Sequence, residues 1–306
     1  PISLSIGEPK HPTPTMILDC LKENLSSAAN YPTTKGSIEL REAIANWLCH
    51  RFELKQNTID PNKHVLPVNG TREALFAFAQ CVIDSHKYSQ VLMPNPFYQI
   101  YEGATLLAGA EPVYLNCIAD NNYIPDFSAV AKSTWEKCQL LFLCSPGNPT
   151  GAVIQQDVYN QLFELADQYQ FIIAADECYS EIYFNEDAPP LGLLQAASNI
   201  GRDDYKNCIV FHSLSKRSNA PGMRSGFVAG NELIIQTFLR YRTYHGCSMA
   251  PYTQLASIIG WQDEEHVKLN RKLYREKFSA VLDILKPVLN VDKPDAGFYL
   301  WPETPI

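Results

Sequence analysis

The stretch that decides the fold is residues 171–179, FIIAADECY. Its first five residues are all apolar, and a strand that is apolar on both faces is typical of a parallel sheet covered by helices on both sides. The apolar run stops at Asp176, so a carboxylate directly follows a buried strand. We therefore predict an α/β fold whose chemistry lies at the carboxyl ends of its strands.

A second stretch of this kind is residues 208–226, CIVFHSLSKRSNAPGMRSG. Four apolar residues predict a strand, and Lys216 follows in a polar turn. The loops at the carboxyl ends of parallel strands converge on a crevice. A lysine there, near the second cation Arg224, should have a lowered pKa and an amine suited to Schiff-base formation. The alternative is an ordinary surface lysine, and the rest of the chain has to decide between the two.

Strands and helices alternate along most of the chain. Strands are predicted at 64–68, 90–95, 110–115, 140–144, 171–175, 208–211, 227–230 and 297–300, and helices at 15–25, 37–48 with Ser37 as N-cap, 71–83, 155–169, 232–239, 253–261 and 263–285. This order predicts a large, mostly parallel-sheet domain of residues 30–250. A smaller α+β domain would comprise residues 1–29 and 251–306. We expect that domain to be incomplete at both ends, because the sequence starts in mid-motif without Met and stops at residue 306, shortly after the strand predicted at 297–300.

Composition excludes several classes of protein. The 306 residues have a formal net charge of −8 and no block of Lys and Arg, which argues against nucleic-acid binding. The sequence contains no apolar run long enough to span a membrane, and residues 1–9 do not resemble a signal peptide. The nine cysteines are odd in number and have no Cys-x-x-Cys spacing, which predicts free thiols in a reducing cytosol, hence a cytoplasmic protein. The histidines form no ligand cluster, so no metal is predicted.

Four positions fall at the ends of separate predicted strands: Gly70-Thr71, Asn148, Asp176 and Lys216. The helix N-terminus after Gly70 suits a phosphate, the lysine an imine, and the aspartate a protonated ring nitrogen. Singly, each has an ordinary reading as a helix cap, turn former or surface charge. Jointly they meet the requirements of pyridoxal 5′-phosphate (PLP), with Tyr98 and Tyr179 adding an aromatic face and a hydrogen-bond donor.

The order and spacing of longer motifs resemble one family. These motifs are Gly-Glu-Pro at 7–9, Tyr31 with Gly36, Asn-Gly-Thr at 69–71, Asn-Pro-Phe-Tyr at 95–98, Ser-Pro-Gly-Asn-Pro-Thr-Gly at 145–151, Asp-Glu-Cys-Tyr at 176–179, Ser-x-Ser-Lys at 213–216 and Arg-x-Gly at 224–226. Over essentially the whole chain the sequence resembles the fold-type I PLP-dependent aminotransferases of class I/II. Residues 213–230, 241–247 and 295–301 look most like bacterial N-succinyldiaminopimelate aminotransferases.

The resemblance implies a role for each matching residue. Lys216 would bind the cofactor covalently and move a proton, and Asp176 would pair with the ring nitrogen. Tyr179 and Asn148 would bond the ring oxygen, with Tyr98 stacked on the ring in preference to Phe97. The cofactor phosphate would be bound by Gly70, Thr71, Ser213 and Arg224. In a homodimer, Tyr31 would contact the phosphate of the cofactor in the partner subunit. The substrate carboxylate would be contacted by Gly7 and Asn148.

The resemblance also implies substrates, namely small amino and keto acids. Glutamate would be the amino donor, and the acceptor an acylated keto-dicarboxylate of lysine biosynthesis. The candidate contacts to its remote carboxylate are Lys10, Arg217, Arg242, Tyr244 and His245, and the alternative for each is an ordinary solvated surface position. The family's arginine for the α-carboxylate would lie beyond residue 306. Three alternatives stay open: an aspartate or aromatic aminotransferase, a C–S lyase on the same scaffold, and a PLP-sensing transcription regulator.

Overall fold

The computed structural model describes residues 7–303. The described strands form one seven-stranded sheet: β1 (Val65–Val68), β2 (Gln90–Asn95), β3 (Glu111–Asn116), β4 (Cys138–Cys144), β5 (Ile172–Asp176), β6 (Cys208–Ser213) and β7 (Gly226–Gly230). Eleven α-helices are described: α1 (Thr15–Glu23), α2 (Ile38–Arg51), α3 (Thr71–Val82), α4 (Gln99–Leu107), α5 (Lys132–Trp135), α6 (Gln156–Tyr169), α7 (Leu193–Asn199), α8 (Leu214–Arg217), α9 (Glu232–His245), α10 (Pro251–Gln262) and α11 (Glu265–Leu285).

The sheet has the order β1-β7-β6-β5-β4-β2-β3 and is parallel from β6 to β3. Strand β7 runs antiparallel to both β1 and β6, and its first residue, Gly226, pairs with Val68 and Ser213, the last residues of those strands. The segment entering β7 therefore lies at the same edge as the carboxyl ends of the parallel strands. The predicted mostly parallel α/β fold is confirmed.

The core consists of two apolar layers on opposite faces of the sheet. In β5, Ile173 and Ala175 pack into the layer under α2, α6 and α7, whereas Ala174 packs into the layer under α3, α4 and α9. Because side chains alternate along a strand, only an all-apolar run fills both layers. Burying each large apolar side chain contributes about 1.5–3 kcal/mol, so the sheet edge is a rigid base for the polar turns that follow.

Two local predictions have different outcomes. Ser37 caps α2, since its side chain accepts a hydrogen bond from the Leu40 amide at 3.2 Å. The strand predicted at 297–300 is wrong: the only pairing here in the described chain is a single bridge between Tyr183 and Ala296.

No helix among residues 7–303 is long and apolar enough to cross a membrane. All nine cysteines are free, as predicted.

Candidate active site

Lys216 lies one turn beyond β6, in the short helix α8. Ser213 begins this helix: its hydroxyl accepts a hydrogen bond from the Ser215 amide and donates one to the Ser225 carbonyl, each at 3.0 Å. The Lys216 amine donates to the Gly7 carbonyl at 2.9 Å. Burial is the main cause that lowers the pKa of this amine, with Arg224 contributing less. The predicted direction of the shift is therefore right, although its main cause is burial.

Asp176 ends β5 and is buried. One carboxylate oxygen accepts a hydrogen bond from the Tyr101 hydroxyl at 2.9 Å, and the other accepts from the Cys178 amide at 3.3 Å. Within residues 7–303 this carboxylate forms no ion pair with Lys, Arg or His. Burial raises the pKa of the carboxyl group. A buried carboxylate of this kind is stabilised by a cationic ligand group.

Gly70, Thr71 and Arg224 meet at the amino end of α3. Gly70 has φ +82°, and a Cβ at this position would overlap the Arg224 guanidinium. The Thr71 hydroxyl lies 3.1 Å from Cys178 Sγ, beside Asp176. Free amides at a helix start together with an exposed guanidinium form an anion site. The antiparallel direction of β7 places Arg224 there, because it precedes the first residue of that strand.

The aromatic residues after β2 point to different surroundings. Tyr98 meets Tyr101 edge-on, with ring centroids 5.9 Å apart. Phe97 instead stacks on Tyr114 of β3 at 5.3 Å. Since Tyr101 contacts Asp176, Tyr98 is the aromatic side chain on the side of the site. Its hydroxyl accepts a hydrogen bond from Arg72 at 2.8 Å.

Tyr179 faces the Lys216 amine, which lies 6.0 Å from the centre of its ring. The Tyr179 and Tyr299 hydroxyl groups are 3.1 Å apart, and a side chain at Gly7 would overlap the Tyr299 ring. Phe298 lies 5.1 Å from the same amine. Sequence reasoning placed Tyr299 and Phe298 in a strand, so it missed them as site residues. Asn148 follows β4 in the turn at the same sheet edge and is half-buried.

Other predicted residues lie outside this cluster. Tyr31 is fully exposed. Arg217 is buried and paired with Glu264, and Arg242 is buried and paired with Glu73 at 2.9 Å. The prediction that these two arginines contact a remote substrate carboxylate is therefore wrong, because each guanidinium already has a carboxylate partner.

The other three candidates for contact with the remote substrate carboxylate are exposed. Lys10 pairs with its neighbour Glu8, and the His245 ring lies 2.9 Å from Cys247 Sγ. Tyr244 is largely exposed. None of the three has a described contact with the Lys216 cluster, so their contact with substrate stays a prediction.

The cluster fits PLP in its donor chemistry. The buried carboxylate suits a protonated ring nitrogen, the half-buried amine suits an aldehyde carbon, and the Gly70–Arg224 corner suits a phosphate. The model of the aminotransferase class I and II family matches residues 1–305. The chain belongs to this family. It is a PLP-dependent aminotransferase of the α/β, fold-type I architecture.

Similar proteins agree with the family assignment. An LL-diaminopimelate aminotransferase from Maridesulfovibrio salexigens is 31% identical over 99% of this aminotransferase chain and 77% of the relative. The crystal structure of an aminotransferase from Neisseria meningitidis is 50% identical, with a TM-score of 0.94 over 98% of this chain and 76% of that one. A probable N-succinyldiaminopimelate aminotransferase from Thermus thermophilus has a TM-score of 0.90 over 99% of this chain and 80% of that one; at 24% identity it shows the fold alone.

Proposed function

We propose that Lys216 and Asp176 are the residues that act on the cofactor in amino transfer. The observation that supports this is the pairing of a half-buried amine, Lys216, with a buried carboxylate, Asp176, whose charge acts on the pKa of that amine. When bound, PLP supplies an electron-accepting ring. Lys216 Nζ would hold the cofactor covalently until the substrate amine displaces it, and the freed amine, with its lowered pKa, would then carry a proton from the substrate Cα to C4′ of the cofactor. Asp176 accepts the N–H of the ring.

The other residues would hold the cofactor in place. Gly70, Thr71 and Arg224 suit the phosphate, because amides at the start of α3 and a guanidinium converge there. Ser213 would join them by exchanging its present bond to the Ser225 carbonyl. Tyr98 would lie on the ring. The contacts to the ring oxygen would come from Tyr179 and Asn148.

A substrate class can be proposed within the aminotransferase family. We infer a diaminopimelate-type amino acid as one substrate and glutamate as the other. The names of the curated relatives at 31–33% identity support free LL-diaminopimelate, while the sequence motifs favour its N-succinyl form. In both cases, the backbone of Gly7, beside the Lys216 amine, would face the substrate carboxylate.

A half-reaction panel tests the substrate. The holoenzyme is mixed in turn with glutamate, LL-diaminopimelate, N-succinyl-LL-diaminopimelate, aspartate and tyrosine, and the cofactor absorbance is followed in a stopped-flow instrument. We expect fast spectral change with glutamate and with one diaminopimelate compound, at least about tenfold faster than with aspartate or tyrosine. Fast change with aspartate or tyrosine alone would reject the diaminopimelate proposal. Pyruvate release from cysteine-type substrates without a keto acid would favour a lyase.

A further inference from the structure

The hydroxyl of Tyr101 contacts the carboxylate of Asp176 directly. Tyr101 belongs to the first turn of α4, and no part of its side chain is exposed. Its hydroxyl donates to Asp176 Oδ2 at 2.9 Å, while the Cys178 amide donates to Oδ1. Both oxygens of this buried carboxylate are thus held from the protein side, which fixes the orientation of the carboxylate.

The position of the Tyr101 ring is itself fixed. The ring stacks on Phe142 of β4, with centroids 4.7 Å apart and planes at 14°. The Tyr101 amide bonds to the Tyr98 carbonyl at 2.9 Å, so one helical turn places both tyrosines. Burial, together with the nearby Asp176 charge, raises the pKa of Tyr101 well above its ordinary value. The hydroxyl therefore keeps its proton and acts as a donor.

We propose that Tyr101 is a positioning residue that keeps Asp176 ionised and directed at the ring nitrogen of the cofactor. This inference rests on the proposed role of Asp176. Burial favours the neutral carboxyl group, and a hydrogen bond donated to the charged form opposes that effect. Without the Tyr101 hydroxyl, the proton shared by Asp176 and the ring nitrogen shifts toward Asp176. The ring then loses positive charge and accepts electrons less well.

The test uses holoenzyme loaded with PLP that is ¹⁵N-labelled in the ring. The variant is Tyr101→Phe, and the matched control is Tyr205→Phe. Tyr205 is also fully buried, and its hydroxyl also donates at 2.9 Å, to Thr58. We expect Tyr101→Phe to move the ¹⁵N signal toward that of unprotonated pyridine and to lower kcat about tenfold, with KM changed less than about twofold. Tyr205→Phe should leave the signal and kcat unchanged.

A third variant, Asp176→Asn, separates the two proposals. If Asp176→Asn moves the ¹⁵N signal and Tyr101→Phe does not, the Tyr101 inference is wrong and the role of Asp176 stands. If neither variant moves the signal, the proposed role of Asp176 is itself contradicted. Thermal unfolding of both Phe variants checks that each remains folded, so a changed signal in Tyr101→Phe reports on the carboxylate.

Discussion

Gly70 and Arg224 show how single residues shape the phosphate corner of the site. The backbone of Gly70 has φ +82°, and the Arg224 guanidinium lies where a Cβ would be. Only glycine combines this conformation with this approach at low cost. Arg224 itself has φ +51°, and its guanidinium donates to the Pro221 carbonyl at 2.9 Å. The phosphate corner therefore requires glycine at position 70 as much as it requires the Arg224 guanidinium.

Replacing this glycine should weaken cofactor binding. Gly70→Ala should cost about 1–2 kcal/mol of stability from the positive φ and, by displacing Arg224, raise the dissociation constant for PLP about tenfold or more. The matched control is Gly201→Ala, because Gly201 has φ +81° but open space around its Cβ. Equilibrium titration of the apoenzyme with PLP measures the affinity. Equal losses of affinity in both variants would contradict the account.

Some site residues were predictable from their neighbours in sequence and others were not. Lys216 and Asp176 directly follow apolar strands, so their place at the sheet edge could be derived. Tyr101 lies 75 residues before Asp176, and nothing local indicates their contact. The pairing of Arg242 with Glu73 spans 169 residues, which is why burial of this arginine was missed.

At the scale of elements, a buried carboxylate joins α2 to α11. Glu181 accepts a hydrogen bond from Arg51 of α2 at 2.6 Å and lies 3.7 Å from Arg271 of α11. Burial opposes the ionisation of Glu181, but the attraction of Arg51, Arg217 and Arg271 outweighs it and holds the pKa of this carboxyl below its ordinary value. Removing the carboxylate charge would leave its two direct partners, the buried guanidinium groups of Arg51 and Arg271, with weaker compensation.

Glu181→Gln should lower the free energy of unfolding by about 3–5 kcal/mol. Glu186→Gln is the control, because Glu186 pairs with Arg271 and Arg275 but is nearly half exposed, and about 1 kcal/mol or less is expected. Because the pKa of Glu181 is lower in the folded protein than its ordinary value, this carboxylate stabilises the fold at pH values above the ordinary pKa. The stabilisation is lost as the pH falls through the pKa of the folded state. Urea unfolding of wild type and variant should therefore converge at acidic pH. A difference in unfolding free energy that does not shrink as the pH falls into the acid range would contradict this assignment.

The segment after α11 shows where pattern reasoning at this scale failed. The strand-like run Gly-Phe-Tyr-Leu at 297–300 predicted a strand, yet the Gly297 amide bonds to the Ile182 carbonyl at 2.7 Å, outside the described sheet. Phe298 and Tyr299 pack on Tyr179 instead. Their apolar character therefore reflects packing over the site, which sequence periodicity does not distinguish from a strand.

At the scale of the whole molecule, Tyr31 is a predicted site residue that lies outside the Lys216 cluster in the single chain. Its side chain is fully exposed, although the family resemblance implies a cofactor contact in the other subunit of a homodimer. If that contact exists, Tyr31→Ala should raise the dissociation constant for PLP about tenfold and leave the melting temperature of the apoenzyme unchanged. Tyr88→Ala, another exposed tyrosine, is the control. Sedimentation equilibrium should give twice the chain mass, and a monomer that binds PLP with full affinity would contradict the shared site.

We propose that the amine of Lys216 performs the proton transfer in amino transfer. The single-turnover rate of Lys216→Ala, supplied with PLP and saturating glutamate and with 2-oxoglutarate measured as product, tests this role. Lys206→Ala, a surface lysine paired with Asp167, is the control. We expect a rate at least about 10³-fold below that of wild type for Lys216→Ala and a normal rate for the control. A Lys216→Ala rate within about tenfold of wild type would contradict this role.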